Sequence, residues 1–222
     1  MNTALNLARS PALATRRLAR GFTLIEIMVV IAIIGLLMGL VAVTVSRQGQ
    51  AGRVAECKAR IEQIALLVES YSDRMGDYPP SRLAALGVRD GNNVNEGIEA
   101  LVVALKSPDY NGRRPEERWL GNTDDDSSKT VQMVDGSHNL LEILDPWDNP
   151  FVYIANADYD ADWGYRFGDK SNSEVVSVRA AMNKLTNAYQ QFDGFQLRSA
   201  GPDGIMGTDD DIANYEIDTA PQ

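Results

Sequence analysis

The hydrophobic positions of this chain change period twice, and those changes divide it. From Ile27 to Val43 the residues are almost all apolar, with no charge and no proline. From Ser46 onward the pattern turns amphipathic. Val54, Ile61, Ile64, Leu67 and Val68 recur at helical spacing, while Arg47, Arg53, Lys58, Arg60, Glu62 and Glu69 fill the other side. No proline interrupts Phe22 to Tyr78, so one helix of about 50 residues is expected. Gly76-Asp77-Tyr78-Pro79-Pro80 stops it.

After that stop the elements are short. Ile98 to Leu105 reads as a short helix, and residues 106–139 as a polar, turn-rich loop or subdomain. The turn Asp145-Pro146-Trp147-Asp148-Asn149-Pro150 precedes a strand at Phe151–Ile154, marked by aromatic and β-branched residues. Residues 155–173 read as loop and Val175 to Phe192 as helical in spacing. Phe195–Ser199 reads as a second strand, running into an acidic loop. The expected class is α+β: a long N-terminal helix packed on a small antiparallel sheet, with an extended C-terminal loop.

Counting Phe22 to Val45, the apolar segment has about 24 residues and reaches about 36 Å, enough for a bilayer core of about 30 Å. Before it, residues 1–21 carry Arg9, Arg16, Arg17 and Arg20 and no acid, which favours a cytoplasmic leader. In an ordinary secretory signal the small cleavage residue follows the apolar stretch. Here Gly21 precedes it, so cleavage there leaves the apolar helix on the mature chain.

Net charge is −10, and the body after the leader holds 17 basic against 31 acidic residues. That balance disfavours nucleic acid as a partner. HExxH, GxSxG and phosphate-loop motifs are absent and there is one histidine, which disfavours hydrolases. The single cysteine, Cys57, falls within the helical pattern as a small packing residue.

Two features carry candidate chemistry. Glu26 is a carboxylate at the start of the apolar segment, where burial is costly. It serves either as an acid favouring the helix N-terminus or as a pairing partner for the α-amine that cleavage before Phe22 exposes on a neighbouring copy. The second feature is the loop Ser199 to Ile212. Its glycines and proline bend the chain so that Asp203 faces Asp209-Asp210-Asp211. On residues alone this is either a calcium site built from carboxylates and carbonyls or a solvated acidic turn. The other acidic run, Asp124-Asp125-Asp126, has no glycine-bent partner carboxylate and reads as loop.

The string Gly21-Phe22-Thr23-Leu24-Ile25-Glu26 with its long apolar helix resembles the class III signal of type IV pilins and pseudopilins. Three further segments are similar to the major pseudopilin of type II secretion. They are Gly76–Pro79 with Glu96–Leu101, then Asp145–Phe151, then Ser199–Ile212. The resemblance implies cleavage after Gly21 by a prepilin peptidase and N-methylation of Phe22. It implies residues 1–21 as leader, 22–45 as the membrane half of the helix, and 46–222 as a periplasmic helix and head. Calcium binding in the C-terminal loop is implied through Asp203, Asp210 and Asp211 with carbonyls from Ala200 and Thr208, with Asp209 as a further candidate ligand. The implied setting is a single-pass inner-membrane subunit of a homo-oligomeric filament, with other pseudopilins and an inner-membrane assembly platform as partners. The stretches 106–143 and 155–195 read as insertions against that family, which leaves a minor, partner-binding subunit as the alternative.

Overall fold

The computed structural model describes residues 22–130, 136–168 and 174–217, with side chains throughout except at 39–48. The leader and Gly21, named above as the cleavage site, lie outside the described residues. The chain divides into two units, Met1–Ser46 and Arg47–Gln222.

Helix α1 runs Leu24–Met75, 52 residues, close to the expected span. In the first unit the described side chains are apolar apart from Thr23 and Glu26, and bare: Phe22, just before the helix, is 82% exposed and Leu36 77%. Among the described residues no helix is long and apolar enough to cross a membrane. The apolar stretch with described side chains ends at Met38, short of the about 20 residues a span requires.

In the second unit the amphipathic stripe is buried as its spacing predicts. Cys57, Ile61, Ile64, Leu67, Val68 and Tyr71 enter the core, and Lys58, Glu62 and Glu69 stay in solvent. Gly76, at φ +87°, ends the helix in the left-handed conformation that glycine tolerates, and its amide donates to the Ser72 carbonyl at 2.8 Å.

Helix α2, Glu96–Lys106, is buried from Gly97 to Lys106, the mark of a helix apolar on most sides. Among the described residues seven short strands follow: β1 Leu120–Gly121, β2 Glu142–Ile143, β3 Val152–Ala155, β4 Trp163–Arg166, β5 Val175–Val178, β6 Phe195–Ser199 and β7 Ile212–Ala213. They form three small antiparallel sheets, in the orders β1-β2, β3-β6-β7 and β4-β5. The α+β class is as expected, with the strands spread over three sheets instead of one.

In the β3-β6-β7 sheet, β3 is an edge strand, and side chains satisfy its outward backbone groups. The Tyr165 hydroxyl accepts from the Tyr153 amide at 3.1 Å and donates to the Tyr153 carbonyl at 3.4 Å. Ser81 Oγ accepts from the Ala155 amide at 3.0 Å. Helix α2 packs on β3 with Gly97 at the contact.

Two expectations are corrected. Val175–Phe192 is not helical. Val175-Val176-Ser177-Val178 forms β5 against β4, as a run of β-branched residues favours. Beyond it Asn183 Oδ1 accepts from the Leu185 and Thr186 amides, both at 2.9 Å, and folds the chain back on itself. The loop expected at 155–173 contains β4, whose Trp163 and Tyr165 are buried on alternate positions. Gly164 and Arg166 between them hide the strand signal.

Candidate functional site

The start of α1 is a reciprocal cap. The Thr23 amide and hydroxyl both donate to Glu26 Oε2, at 2.8 and 2.9 Å, and the Glu26 amide donates to Thr23 Oγ at 3.3 Å. This is the capping-box arrangement, Thr at the N-cap and Glu three residues on. Glu26 therefore has a helix-starting role within its own chain. The Thr-x-x-Glu spacing was the available signal for it. Both Thr23 bonds go to a single oxygen of Glu26.

The acidic loop is the connection between β6 and β7, which pair Arg198 with Ala213 and Ser199 with Ile212. Its base is tied to the Asp145–Pro150 turn. Buried Asp145 accepts from the Trp147 amide at 2.8 Å and the Asn149 amide at 3.0 Å through Oδ1. Through Oδ2 it accepts from Ser199 Oγ at 2.6 Å. Ser199 Oγ in turn accepts from the Gly201 amide at 3.1 Å. The Asp145–Pro150 turn thus positions the loop.

Within the loop, Gly201, Gly204 and Gly207 all have positive φ, at +65°, +67° and +95°. At Gly201 a Cβ would sit 2.2 Å from the Asp210 carbonyl oxygen, so the crossing of the two loop arms requires glycine. The expected residues are brought close in part. Asp210 Oδ2 accepts from the Asp203 amide at 3.1 Å, and Thr208 Oγ donates to Asp210 Oδ1. Asp203 Oδ1 accepts from the Ile205 amide at 2.8 Å, and Asp211 Oδ2 from the Gly207 amide at 2.8 Å. Ala200 is buried and Asp209 points to solvent. Asp211 Oδ1 is buried and meets no donor, and burial raises the Asp211 carboxyl above the ordinary aspartate value. That orphaned oxygen is one a hard cation would satisfy, but Asp203, Asp210 and Asp211 are not among the described residues that bring three carboxylate oxygens within 4.8 Å of one another.

A second acidic group was not legible as one. Glu99 of α2, Asp124 and Glu142 of β2 each place a carboxylate oxygen so that all three lie within 4.8 Å of one another, a spacing that suits a metal ion. Asp124 belongs to the run read above as partnerless loop. Its partners come from α2 and β2. Burial first, then the negative charges of Asp124 and Glu142, pushes the Glu99 carboxyl up to about 10. Glu142 is pushed up to about 7 by burial and Asp124, against hydrogen bonds from Thr123 and Asn95.

Residues 16–42 match the family model described as the prokaryotic N-terminal methylation motif. The chain is 32% identical over 140 residues to the type II secretion system core protein G of Pseudomonas aeruginosa, covering 63% of this chain and 76% of that one. It is 27% identical over 200 residues to the type II secretion system core protein G of Escherichia coli K12, covering 89% and 92%. No solved structure gives a significant match.

Proposed function

Because the chain belongs to the family of type II secretion system core protein G, we propose that it is a structural subunit of a secretion pseudopilus and supports protein export across the outer membrane. The relatives are core proteins of a type II secretion system. The observation that carries the reading is the joining of two features in one chain. One is the N-terminal methylation motif at residues 16–42. The other is a bare apolar helix start followed in sequence by an α+β head. In this reading a prepilin peptidase cuts after Gly21 and Phe22 becomes the methylated N-terminus. Residues 22–45 hold the subunit in the inner membrane, and the head stands in the periplasm.

Assembly buries the apolar start of α1 against other copies, other pseudopilins and the inner-membrane assembly platform. Within the lipid, close van der Waals packing of the helices favours that contact, and any apolar surface that leaves the membrane is further stabilised by removal from water. Glu26 then has two roles. Within the chain it caps α1 through Thr23. Between chains its carboxylate meets the α-amine of a neighbour, and a charge buried among apolar helices requires such a partner. Calcium held by Asp203, Asp210 and Asp211, with the Ala200 and Thr208 carbonyls, would tie the β6–β7 connection and stabilise the head. Similarity over most of the length of two core proteins favours a bulk filament subunit over a minor tip subunit.

The test is filament shearing. Cells expressing the secretion genes together with this chain should release it as the main component of sheared filaments. Its restriction to trace amounts beside an abundant second subunit would refute the bulk-subunit reading, and its absence from the sheared fraction would refute the filament reading.

A further inference from the structure

The buried carboxylates of α2 and β2 have no use in the filament reading, and their surroundings are specific. Glu99 is 0% exposed, and neither of its carboxylate oxygens meets a hydrogen-bond donor. It nevertheless sits within the apolar run Ile98–Leu105 of α2, facing two more acids. Those two are held in place from behind. Glu142 Oε1 accepts from Asn95 Nδ2 at 3.1 Å, the Thr123 amide at 3.0 Å and Thr123 Oγ at 2.9 Å. Asp124 Oδ2 accepts from Asn92 Nδ2 at 2.9 Å. Among the described residues no salt bridge reaches any of the three.

We propose that Glu99, Asp124 and Glu142 form a binding site for a hard divalent cation of calcium type, separate from the β6–β7 loop. Three facts converge on it. An oxygen-only donor set with three carboxylates is what calcium takes, and oxygens on opposite sides of an ion at about 2.4 Å stand about 4.8 Å apart. The three oxygens of this trio all lie within that distance of one another. Glu99 is a fully buried carboxylate with no donor, aimed into the cluster, and a charge in that position needs a counter-charge. A proton on Glu99 would serve only one of its two orphaned oxygens and would leave three acids packed together. A cation meets all three at once. Asp124, half-buried at the rim, gives the entry side and leaves room for water to complete the shell. Bound there, the ion would fasten the long connection between β1 and β2 to α2 and the core.

The experiment uses the full mature chain in detergent, stripped with a chelator and carrying Asp211→Ala to remove the loop's contribution. Equilibrium dialysis against calcium, and separately against manganese and magnesium, counts ions bound per chain. The expected result is one calcium bound in the Asp211→Ala chain. That ion should be lost, or held on the order of tenfold more weakly, in Glu99→Gln and in Asp124→Asn. Circular dichroism checks that each variant is folded. Asp124→Asn, at the rim, serves if Glu99→Gln fails to fold. No ion bound to the folded Asp211→Ala chain in any of the three metals would overturn the proposal. So would calcium binding that neither substitution weakens. A third overturning result is a Glu99→Gln chain that melts higher than its parent and shows no calcium response in either, which means that a proton already neutralises Glu99. None of these outcomes bears on filament assembly, which shearing tests by itself.

Discussion

Gly97 offers a prediction in which two terms of opposite sign compete. Replacing a helical glycine with alanine removes backbone freedom from the unfolded chain and favours the helix by up to about 1 kcal/mol. At Gly97 the added Cβ would lie 2.1 Å from the Tyr153 carbonyl oxygen and 2.6 Å from the Tyr165 hydroxyl. The carbonyl belongs to β3, which is pinned on its inner side by β6 through the pairing of Tyr153 with Leu197. It has no flexible end to swing away, so α2 must lift off the sheet. Overpacking of this kind costs about 1–3 kcal/mol. The Tyr165 hydroxyl must also give up at least one of its bonds to Tyr153, at about 0.5–1.5 kcal/mol. The clash wins, and Gly97→Ala should destabilise the head by roughly 2 kcal/mol, lowering Tm by roughly 4–8 °C for a domain of this size. Gly52→Ala is the matched control. It lies in α1 with nothing within 4 Å of its Cβ position, so only the propensity gain applies and Tm should rise slightly. Thermal unfolding followed by circular dichroism measures both. If Gly97→Ala melts with or above Gly52→Ala, the close approach of α2 to β3 does not exist.

Three other outcomes are expected. Cys57 is buried, and burial pushes its thiol up to about 12, so the native chain should resist alkylation at pH 8 while the urea-unfolded chain labels fully; rapid native labelling would contradict the packing of α1 on the head. Glu26→Gln keeps the capping geometry with Thr23 but removes the charge, whereas Glu26→Leu removes both. A charge-pairing role predicts that both lose sheared-filament yield at equal membrane level, and a purely capping role predicts normal yield from Glu26→Gln. Calcium should raise the Tm of the chelated wild-type chain, by about 2.7 kcal/mol of stabilisation per site at a hundredfold excess over its dissociation constant. Asp203→Ala and Asp211→Ala should each remove the share due to the β6–β7 loop, and an unchanged calcium response in both would place the ion elsewhere.

Much of this was legible because it was local. The amphipathic stripe Ile61, Ile64, Leu67, Val68 follows from period alone, and it is the buried face of α1. The strand at Phe195–Ser199 was marked by its own residues and occupies those positions. What stayed hidden depends on residues distant in sequence. Glu99 sits in the apolar run Ile98–Leu105, where a lone acid reads as the solvent side of a short helix. Its fully buried state follows only from α2 being covered by β2, β3 and β4. Asp124 looked partnerless because its partners are contributed by α2 and β2. Val175–Phe192 misled because apolar positions in a turn-rich segment happen to fall at helical spacing. The β-branched run at its start and the asparagines at 183 and 187 were the stronger signals. Ser199 and Asp145 are joined by a hydrogen bond that no pattern in either segment foretells.

The central claim is that this chain is processed as a prepilin and assembled through the end that processing exposes. Intact-mass and fragment-ion measurement of the chain recovered from sheared filaments tests it most directly. The account predicts a polypeptide beginning at Phe22, with one methyl group on the α-amine and Glu26 unmodified. A filament-derived chain that keeps Met1, or one that begins after Val45 and so lacks the apolar start of α1, would contradict it.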